Sequence, residues 1–170
     1  SLFVDGTGTQ NVAIGFQAQN AISAVSDNVA LGAQAMFYRT AGSQNVAVGY
    51  QAMYAAGSSD ANTAIGDRAL MSNTTGVRNV AVGSVALPVN DVGSDNIAIG
   101  YGALNSSVSD SYMTAFGARA LEAMNGAVGA NDAFGYQSMS NMTTGGYNSA
   151  LGYQTLHKSS AGESNVALGY

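Results

Sequence analysis

Apolar and polar positions alternate over a five-residue unit that recurs along the whole chain. In residues 45–49, with the sequence Asn-Val-Ala-Val-Gly, the two valines alternate with Ala47 and Gly49. In an extended segment this places large side chains on one face and small ones on the other. A glycine in every copy and the neighbouring β-branched residues are both unfavourable inside a helix. The unit therefore predicts a short β-strand.

The remainder of the same copy predicts a second strand and a return loop. Residues 51–54 follow the glycine and are interpreted as another short extended stretch. Residues 55–61 contain Gly, Ser and Asp, which are typical turn residues. Each copy thus predicts two short strands connected by turns.

The copies recur at an almost constant interval. The closing glycine occurs ten times, and eight of the nine intervals are 17 residues while one is 18. A fixed short period over a whole chain is typical of a solenoid, in which each coil packs mainly on its neighbours. Parallel strands stack about 4.8 Å apart, so nine intervals predict a rod about 45 Å long. We predict an all-β fold, a parallel β-roll or β-solenoid of about ten 17-residue coils with two short strands per coil.

Two columns of the repeat predict the interior of the coil. The residue two before the closing glycine is Ala in all ten copies, from Ala13 to Ala167. The residue four after the glycine is Leu or Met in the next eight copies, from Met36 to Leu156, and Gln19 occupies this place in the first. We expect the Leu and Met side chains to fill the interior against the small face of the first strand.

A third column is large, apolar and without a partner inside its own coil. It is the residue just before each closing glycine, on the strand face opposite the alanine. Ten stacked side chains of this kind would form a larger apolar patch than monomeric soluble proteins usually expose. The simplest partner is the same column of another chain, so we predict a homotrimer around a shared axis. The trimer-core candidates are Ile14, Leu31, Val48, Ile65, Val82, Ile99, Phe116, Phe134, Leu151 and Leu168.

Asparagine opens nine of the ten copies, and Met113 takes its place in the seventh. Stacked asparagines can hydrogen-bond one another along a solenoid, so the column predicts an amide ladder with a structural role. The chain is irregular in the same region, because the 18-residue interval separates Gly117 from Gly135. Asp132 also stands in a column whose usual residue is valine. These departures predict a bulge or a local change of packing.

The composition narrows the chemistry. Charged residues make up 9% of the chain, against about 25% in ordinary soluble domains, and the net charge of −5 disfavours binding to nucleic acid. The absence of Cys excludes disulfides and Cys-ligated metals. The single histidine, His157, has no recurrent carboxylate partner and predicts neither a metal site nor a general base. We expect no enzyme activity and no catalytic, metal-binding or cofactor-binding residues.

The ends of the chain suggest a piece of a longer protein. The sequence begins without Met and ends one residue after a repeat glycine. We expect residues 1–10 to be an N-terminal entry segment and residues 11–170 to be the repeat β-roll. No stretch approaches the roughly 18 apolar residues of a membrane span, so we expect no membrane insertion by this segment.

An aromatic column supplies candidates for binding. The residue after the closing glycine is aromatic in six copies, often with Gln next to it. Exposed tyrosines beside amides can stack on sugars and are frequent where proteins bind partners. The structural alternative, which we favour, is that these rings cover the corner after the strand. The binding candidates are Phe16, Tyr50, Tyr101, Tyr136 and Tyr153, and Tyr170 is the sixth member.

The repeat resembles those of bacteriophage tail fibres. Residues 45–53, Asn-Val-Ala-Val-Gly-Tyr-Gln-Ala-Met, and residues 73–76, Asn-Thr-Thr-Gly, are similar to fibre repeats of the form Asn-Thr-Ala-Ile-Gly-Tyr-Gln-Ala-Leu joined by Asn-Thr-Thr-Gly loops. Residues 2–6 resemble the entry to such a region. The Ala-Ile-Gly core is also similar to the head repeats of trimeric autotransporter adhesins, which are trimeric left-handed parallel β-rolls. The resemblance covers essentially the whole chain.

This resemblance implies an extracellular structural or adhesive segment of a trimeric fibre. Such a segment would hold or form a receptor-binding region of a phage tail fibre, with a host-cell surface glycan or protein as its partner. The alternative is the head domain of a bacterial trimeric autotransporter adhesin at the cell surface. Those heads mostly use a shorter repeat, so the 17-residue period favours the fibre.

Two further functions are less consistent with the sequence. A trimeric tailspike glycanase needs a pair of carboxylates at a fixed short separation, and no such pair recurs within the chain. An ice-binding solenoid predicts a flat, regular array of threonines. Threonine enters the predicted strands only at Thr63 and Thr114.

Overall fold

The chain folds as a parallel β-solenoid. The computed structural model describes residues 8–19, 25–127 and 129–170. Ten short strands, one from each repeat, pair in parallel in chain order to form one sheet. These strands are β1 (Val12–Ile14), β2 (Val29–Leu31), β4 (Val46–Val48), β6 (Thr63–Ile65), β8 (Val80–Val82), β10 (Ile97–Ile99), β11 (Met113–Phe116), β12 (Asn131–Phe134), β13 (Asn148–Leu151) and β14 (Val166–Leu168). The prediction of an all-β solenoid with a 17-residue coil is confirmed.

The register of the ten-stranded sheet aligns equivalent positions of successive repeats. Ala47 pairs with Ala30 on one side and with Ala64 on the other. This alignment places each repeat column as a straight row across the sheet. The predicted entry segment falls partly on residues 1–7, which lie outside the described residues, as does the resemblance at residues 2–6.

A second sheet is shorter than expected and lies elsewhere in the coil. It has four parallel strands, β3 (Tyr38–Ala41), β5 (Ala55–Ser58), β7 (Ser72–Asn73) and β9 (Val89–Asn90). The prediction of a strand at residues 51–54 is wrong, because these residues form turns and the strand of that coil is β5. The second sheet contributes one strand to each of four coils, so only these four coils of the described chain have two strands.

The turn after each closing glycine has a left-handed backbone, which explains the displaced strand. Gln51 has φ 53° and Met53 has φ 49°, values that an extended strand cannot contain. Each such residue costs about 1–2 kcal/mol. Hydrogen bonds between coils offset this cost, since Gln51 N donates to Ala33 O over 3.1 Å and Met53 N donates to Ala69 O over 3.1 Å. The chain can therefore turn tightly and still bond to both neighbouring coils.

The interior consists of the two columns that the sequence places there. The alanine of each internal strand is buried, and so are Ala52 and Met53 in the following turn. The Leu and Met column is fully buried from Met36 to Met139, and Gln19 is buried in the same row. Small side chains on the strand leave room for one long side chain per coil. The predicted core is confirmed.

The predicted asparagine ladder is present and buried. Asn62 Oδ1 accepts a hydrogen bond of 2.8 Å from the backbone N–H of Asn79, and Asn62 Nδ2 donates to Gly76 O over 3.0 Å. Its backbone N–H in turn donates to Asn45 Oδ1 over 2.9 Å. Each asparagine thus satisfies backbone groups on two neighbouring coils at the corner before the strand. Met113 has no amide to continue the row, and Asn131 Nδ2 lies 3.7 Å from its sulfur.

Removing one ladder asparagine should be costly. In Asn62→Ala, the Asn79 N–H and the Gly76 carbonyl lose buried partners, at about 1–3 kcal/mol each. We expect urea unfolding followed by circular dichroism to show a loss of about 2–5 kcal/mol. The control is Gln51→Ala, which removes a half-buried amide hydrogen bond of 2.9 Å to Gln34 and should cost less than about 1 kcal/mol. Equal losses for the two variants would contradict the buried role of the ladder.

The extra residue of the 18-residue interval lies in a turn and leaves the sheet intact. Ala127 bridges to Gly145 at a separation of 18, whereas Asn131 pairs with Asn148 at a separation of 17. The additional residue is therefore placed between Ala127 and Asn131. Asp132 pairs in register with Thr114 and Ser149, so the predicted bulge is absent from this strand. The predicted change of packing is confined to the corner before the strand.

Candidate functional site

The predicted trimer-core residues line one outward face of the solenoid. They alternate with the buried alanines along each strand and point away from the interior. Ile14 is 65% exposed, Ile65 40% and Phe116 51%, while Val48 and Ile99 are partly exposed. We call this surface the outer sheet face; it comprises the outward side chains of the ten-stranded sheet.

A second outward column makes this face broader and defines its polarity. The residue two before each trimer-core candidate also points outward, and it is apolar in Val46, Val80 and Ile97. Toward β12 and β13 the column becomes polar, with Asp132 and Ser149. An open groove of about 360 Å³ lies there. The groove is lined by Asp132, Phe134, Ser149, Ala150, Leu151, Val166, Ala167 and Leu168. The outer sheet face is thus continuous and mostly apolar, with polar side chains at Thr63, Thr114, Asp132 and Ser149.

The five predicted binding aromatics are all exposed, but only some of them meet. Tyr136 and Tyr153 stack with ring centroids 5.3 Å apart, and Tyr153 stacks on Tyr170 at 5.1 Å. Phe16, Tyr50 and Tyr101 are exposed in the same column. They stand apart because the coils between them carry small or polar residues there, namely Ala33, Asp67 and Ser84. The column therefore has one stacked group of rings and three separate ones.

Stacked rings and amides reinforce the corner after the strand. Gln34 Nε2 donates to Gln17 Oε1 over 3.3 Å, and Gln154 Nε2 donates to Gln137 Oε1 over 2.7 Å. Rings one coil apart face each other and leave no space for a ligand between them. These contacts favour a structural role for the aromatic rings that occupy consecutive coils.

Another aromatic cluster lies on the second sheet. Phe37 stacks on Tyr54 with centroids 5.6 Å apart, and Tyr38 contacts both rings edge-on. Desolvation in this cluster raises the pKa of Tyr54, and the neighbouring Tyr38 raises it further. The cluster is a partly exposed apolar patch outside the outer sheet face.

Charged groups are few, and three arginines of the described chain each pair with a carboxylate. Arg78 donates two hydrogen bonds to Asp95, of 2.6 and 2.7 Å. This hydrogen bonding lowers the pKa of the Asp95 carboxyl. The described residues contain no group of three or more His, Asp or Glu side chains that could hold a metal ion. Ser140 Oγ lies 2.6 Å from His157 Nδ1, but Ser140 is buried and its oxygen is not open to a substrate. The pair joins equivalent positions of neighbouring coils, as the Gln ladder does.

The chain matches no family model. It also has no significant match among curated proteins or among solved structures. Within the described ranges, no helix has the length and apolar character of a membrane span.

One cleft, at the corner before the strand, was not predicted from the sequence. Tyr112 and Tyr147 are each 64% exposed and line an open cleft of about 450 Å³. Both directly precede the position of the ladder asparagine, and they flank the coil that contains the extra residue. The signal was present in the two irregularities, Met113 and the 18-residue interval, but not in the aromatic column.

Proposed function

We propose that this chain is a structural and adhesive segment of a homotrimeric extracellular fibre. In this assembly three solenoids pack their outer sheet faces around a common axis. The observation that carries the proposal is the mostly apolar outer sheet face, which runs along all ten strands. A face of this length, about 45 Å, exceeds what single soluble chains usually leave in water.

A second and third copy of the same chain suit this face better than an unrelated partner. The outward columns repeat at every coil, so equivalent rows of neighbouring copies have the same spacing along the whole rod. Closed cyclic symmetry is the usual arrangement of soluble homo-oligomers. The threefold order and the left-handed coil follow from the resemblance to trimeric β-roll repeats.

The adhesive part of the proposal rests on the exposed corners. Rigid coils display aromatic rings at Phe16, Tyr50 and Tyr101, where a glycan or protein of a host-cell surface has access. The net charge of −5 disfavours nucleic acid as the partner. The 17-residue period favours a phage tail fibre as the owner of the segment. In this role the chain binds without catalysis, cofactor or metal.

Sedimentation equilibrium tests the assembly. We expect a mass of about 51 kDa, three times the 17.1 kDa of one chain, at micromolar concentration. A mass of one or two chains over the same concentration range would refute the trimer. Binding of the labelled trimer to intact host cells, compared with heat-unfolded protein, then tests adhesion separately from assembly.

A further inference from the structure

Asn125 and Gly126 form the only Asn-Gly pair of the sequence, and they lie in a loop of the coil that contains the extra residue. Both residues are exposed, and the Asn125 side-chain amide makes no hydrogen bond to any residue that the structure describes. The ladder asparagines differ in this respect, since the amide of Asn62, for example, is buried and hydrogen-bonded. The Asn125 side chain is therefore able to turn toward its own backbone.

The residue after Asn125 suits an attack on its side chain. In an asparagine that cyclises, the backbone nitrogen of the next residue attacks the side-chain carbonyl carbon, and a side chain on that next residue crowds the approach. Glycine has no Cβ and a wide choice of backbone conformations. At Gly126 an added Cβ would meet Thr144 Cγ2 at 3.4 Å and Thr143 O at 3.7 Å, so this residue is not tightly enclosed. The loop therefore has room for a five-membered ring.

A buried carboxylate holds the nitrogen that would attack. Asp110 is 4% exposed, and its Oδ1 accepts hydrogen bonds from the N–H groups of Gly126 and Ala127, at 3.0 and 2.7 Å. Its Oδ2 accepts a 2.9 Å hydrogen bond from the Ser107 hydroxyl. Cyclisation requires the Gly126 nitrogen to lose its proton, and the negative nitrogen would then lie beside a like charge. Asp110 therefore opposes this step in the folded chain.

We infer that Asn125 is a site of spontaneous deamidation and that Asp110 limits its rate. The bond from Gly126 N to Asn125 Cγ forms while the bond from Cγ to Nδ2 breaks. The nitrogen leaves as ammonia and carries away the proton of the Gly126 N–H group. Water then opens the cyclic imide at one of its two carbonyls and gives either aspartate or isoaspartate. Water is the co-reactant, so the step needs neither a partner protein nor a cofactor.

The product changes this corner of the coil in two ways. It adds one negative charge to a chain whose net charge is −5. Isoaspartate also adds a methylene group to the backbone before Gly126, which displaces the N–H groups of Gly126 and Ala127 from Asp110. Because Ala127 bridges to Gly145 in the next coil, we expect the modification to weaken the contact between these coils. The loop lies outside the outer sheet face, so the inference is independent of the proposed trimer.

Peptide mapping by mass spectrometry, after the folded full chain has been kept for days at mildly alkaline pH, tests the inference. We expect Asn125 to deamidate at least about tenfold faster than Asn141. Asn141 is a matched internal control, because it is also exposed but is followed by Met142. The rate at Asn125 should rise with pH, since the attacking nitrogen must lose its proton. Asn125→Gln should abolish the mass change of this peptide, because glutamine would have to form a larger ring.

Asp110→Asn tests the restraint by the carboxylate. Asparagine keeps an oxygen that can accept the hydrogen bonds of Gly126 and Ala127, but it lacks the charge. We expect deamidation at Asn125 to become about fivefold faster or more, toward the rate in the urea-unfolded chain. Circular dichroism verifies that the variant is folded. The control is Asp67→Asn, which removes an equal charge from a distant coil and should leave the rate at Asn125 unchanged.

Two results would overturn the inference. Equal rates at Asn125 and Asn141 would contradict the site, and an unchanged rate at Asn125 in folded Asp110→Asn would contradict the role of the carboxylate. If Asp110→Asn does not fold, the wild-type chain decides, because a rate at Asn125 as high in the folded chain as in urea contradicts any restraint by the fold. The peptide map is read in the same way for one chain or three, so neither result depends on the outcome of sedimentation.

Discussion

Ile65→Lys is expected to dissociate the proposed trimer into single chains that keep the solenoid fold. Ile65 lies near the middle of the outer sheet face and is 40% exposed in the single chain, so a lysine fits there without disturbing the interior. In a trimer, threefold symmetry would bring three such ammonium groups together in an apolar environment. The single chain should therefore tolerate the change that the assembly cannot.

The expected effect is large because a buried unpaired charge costs several kcal/mol. Three like charges add mutual repulsion. Since each 1.4 kcal/mol is a factor of ten, the association constant should fall by at least about a thousandfold. The sedimentation mass at micromolar concentration should drop from three chains to one, and the far-ultraviolet circular dichroism should keep its β-sheet form.

The matched control is Val92→Lys. Val92 is an apolar residue with 51% exposure, and it lies in a loop outside the outer sheet face. We expect this variant to remain trimeric. If Ile65→Lys also remains trimeric, the outer sheet face is not the interface. If both variants dissociate, added positive charge alone is responsible.

The sequence was sufficient to predict the solenoid because its signals are periodic and local. Alternation around Ala47 defines the two faces of the strand, and the 17-residue interval defines the stacking. A buried alanine in every internal coil leaves space for one long residue such as Met53, so the core followed from the columns. These features repeat ten times, and a local ambiguity in one copy is resolved by the others.

The turns could not be predicted in the same way. Gln51, Met53 and Gln44 have a left-handed backbone, although none of these residue types favours it. Their conformation is imposed by hydrogen bonds to neighbouring coils, which are tertiary contacts. Propensity alone favours an extended or right-handed form at residues 51–54, and this explains why a strand was expected there.

The candidate surfaces were predictable to different degrees. The outer sheet face could be predicted from the alternation of residues. The two neighbours of the buried Ala47 in its strand must point outward. The aromatic residues at the corner after the strand were also predictable from their column in the repeat. Two rings stack, however, only where consecutive coils both carry one. The cleft at Tyr112 and Tyr147 required the position of one extra residue, which only the register of the coils defines.

Gly66→Ala is expected to cause a large loss of stability for the addition of a single methyl group. Gly66 has φ 134°, which is essentially restricted to glycine and costs other residues about 1–3 kcal/mol. A Cβ there would also be 2.6 Å from the carbonyl carbon and oxygen of Gly83 in the next coil. Both atoms belong to the backbone, so relief requires two coils to separate.

The strain and the clash together predict a loss of about 4 kcal/mol or more, which is exceptional for one methyl group. The midpoint of thermal unfolding should fall by roughly 10 °C at equal protein concentration. Because each coil contacts mainly its neighbours, the weakened step should also increase hydrogen exchange in the coils on either side. Thermal unfolding by circular dichroism and exchange mass spectrometry measure the two effects.

The matched control is Gly102→Ala, another glycine with positive φ. Gly102 has φ 63°, and the nearest atom to an added Cβ is a side-chain carbon of Arg119 at 3.8 Å. Equivalent positions in other coils carry residues such as Gln34 and Arg68 with a similar backbone, so alanine should cost about 1 kcal/mol at most. Similar midpoints for the two variants would mean that coil spacing adapts to a methyl group. A much lower midpoint for Gly66→Ala would show that close approach between glycines sets that spacing.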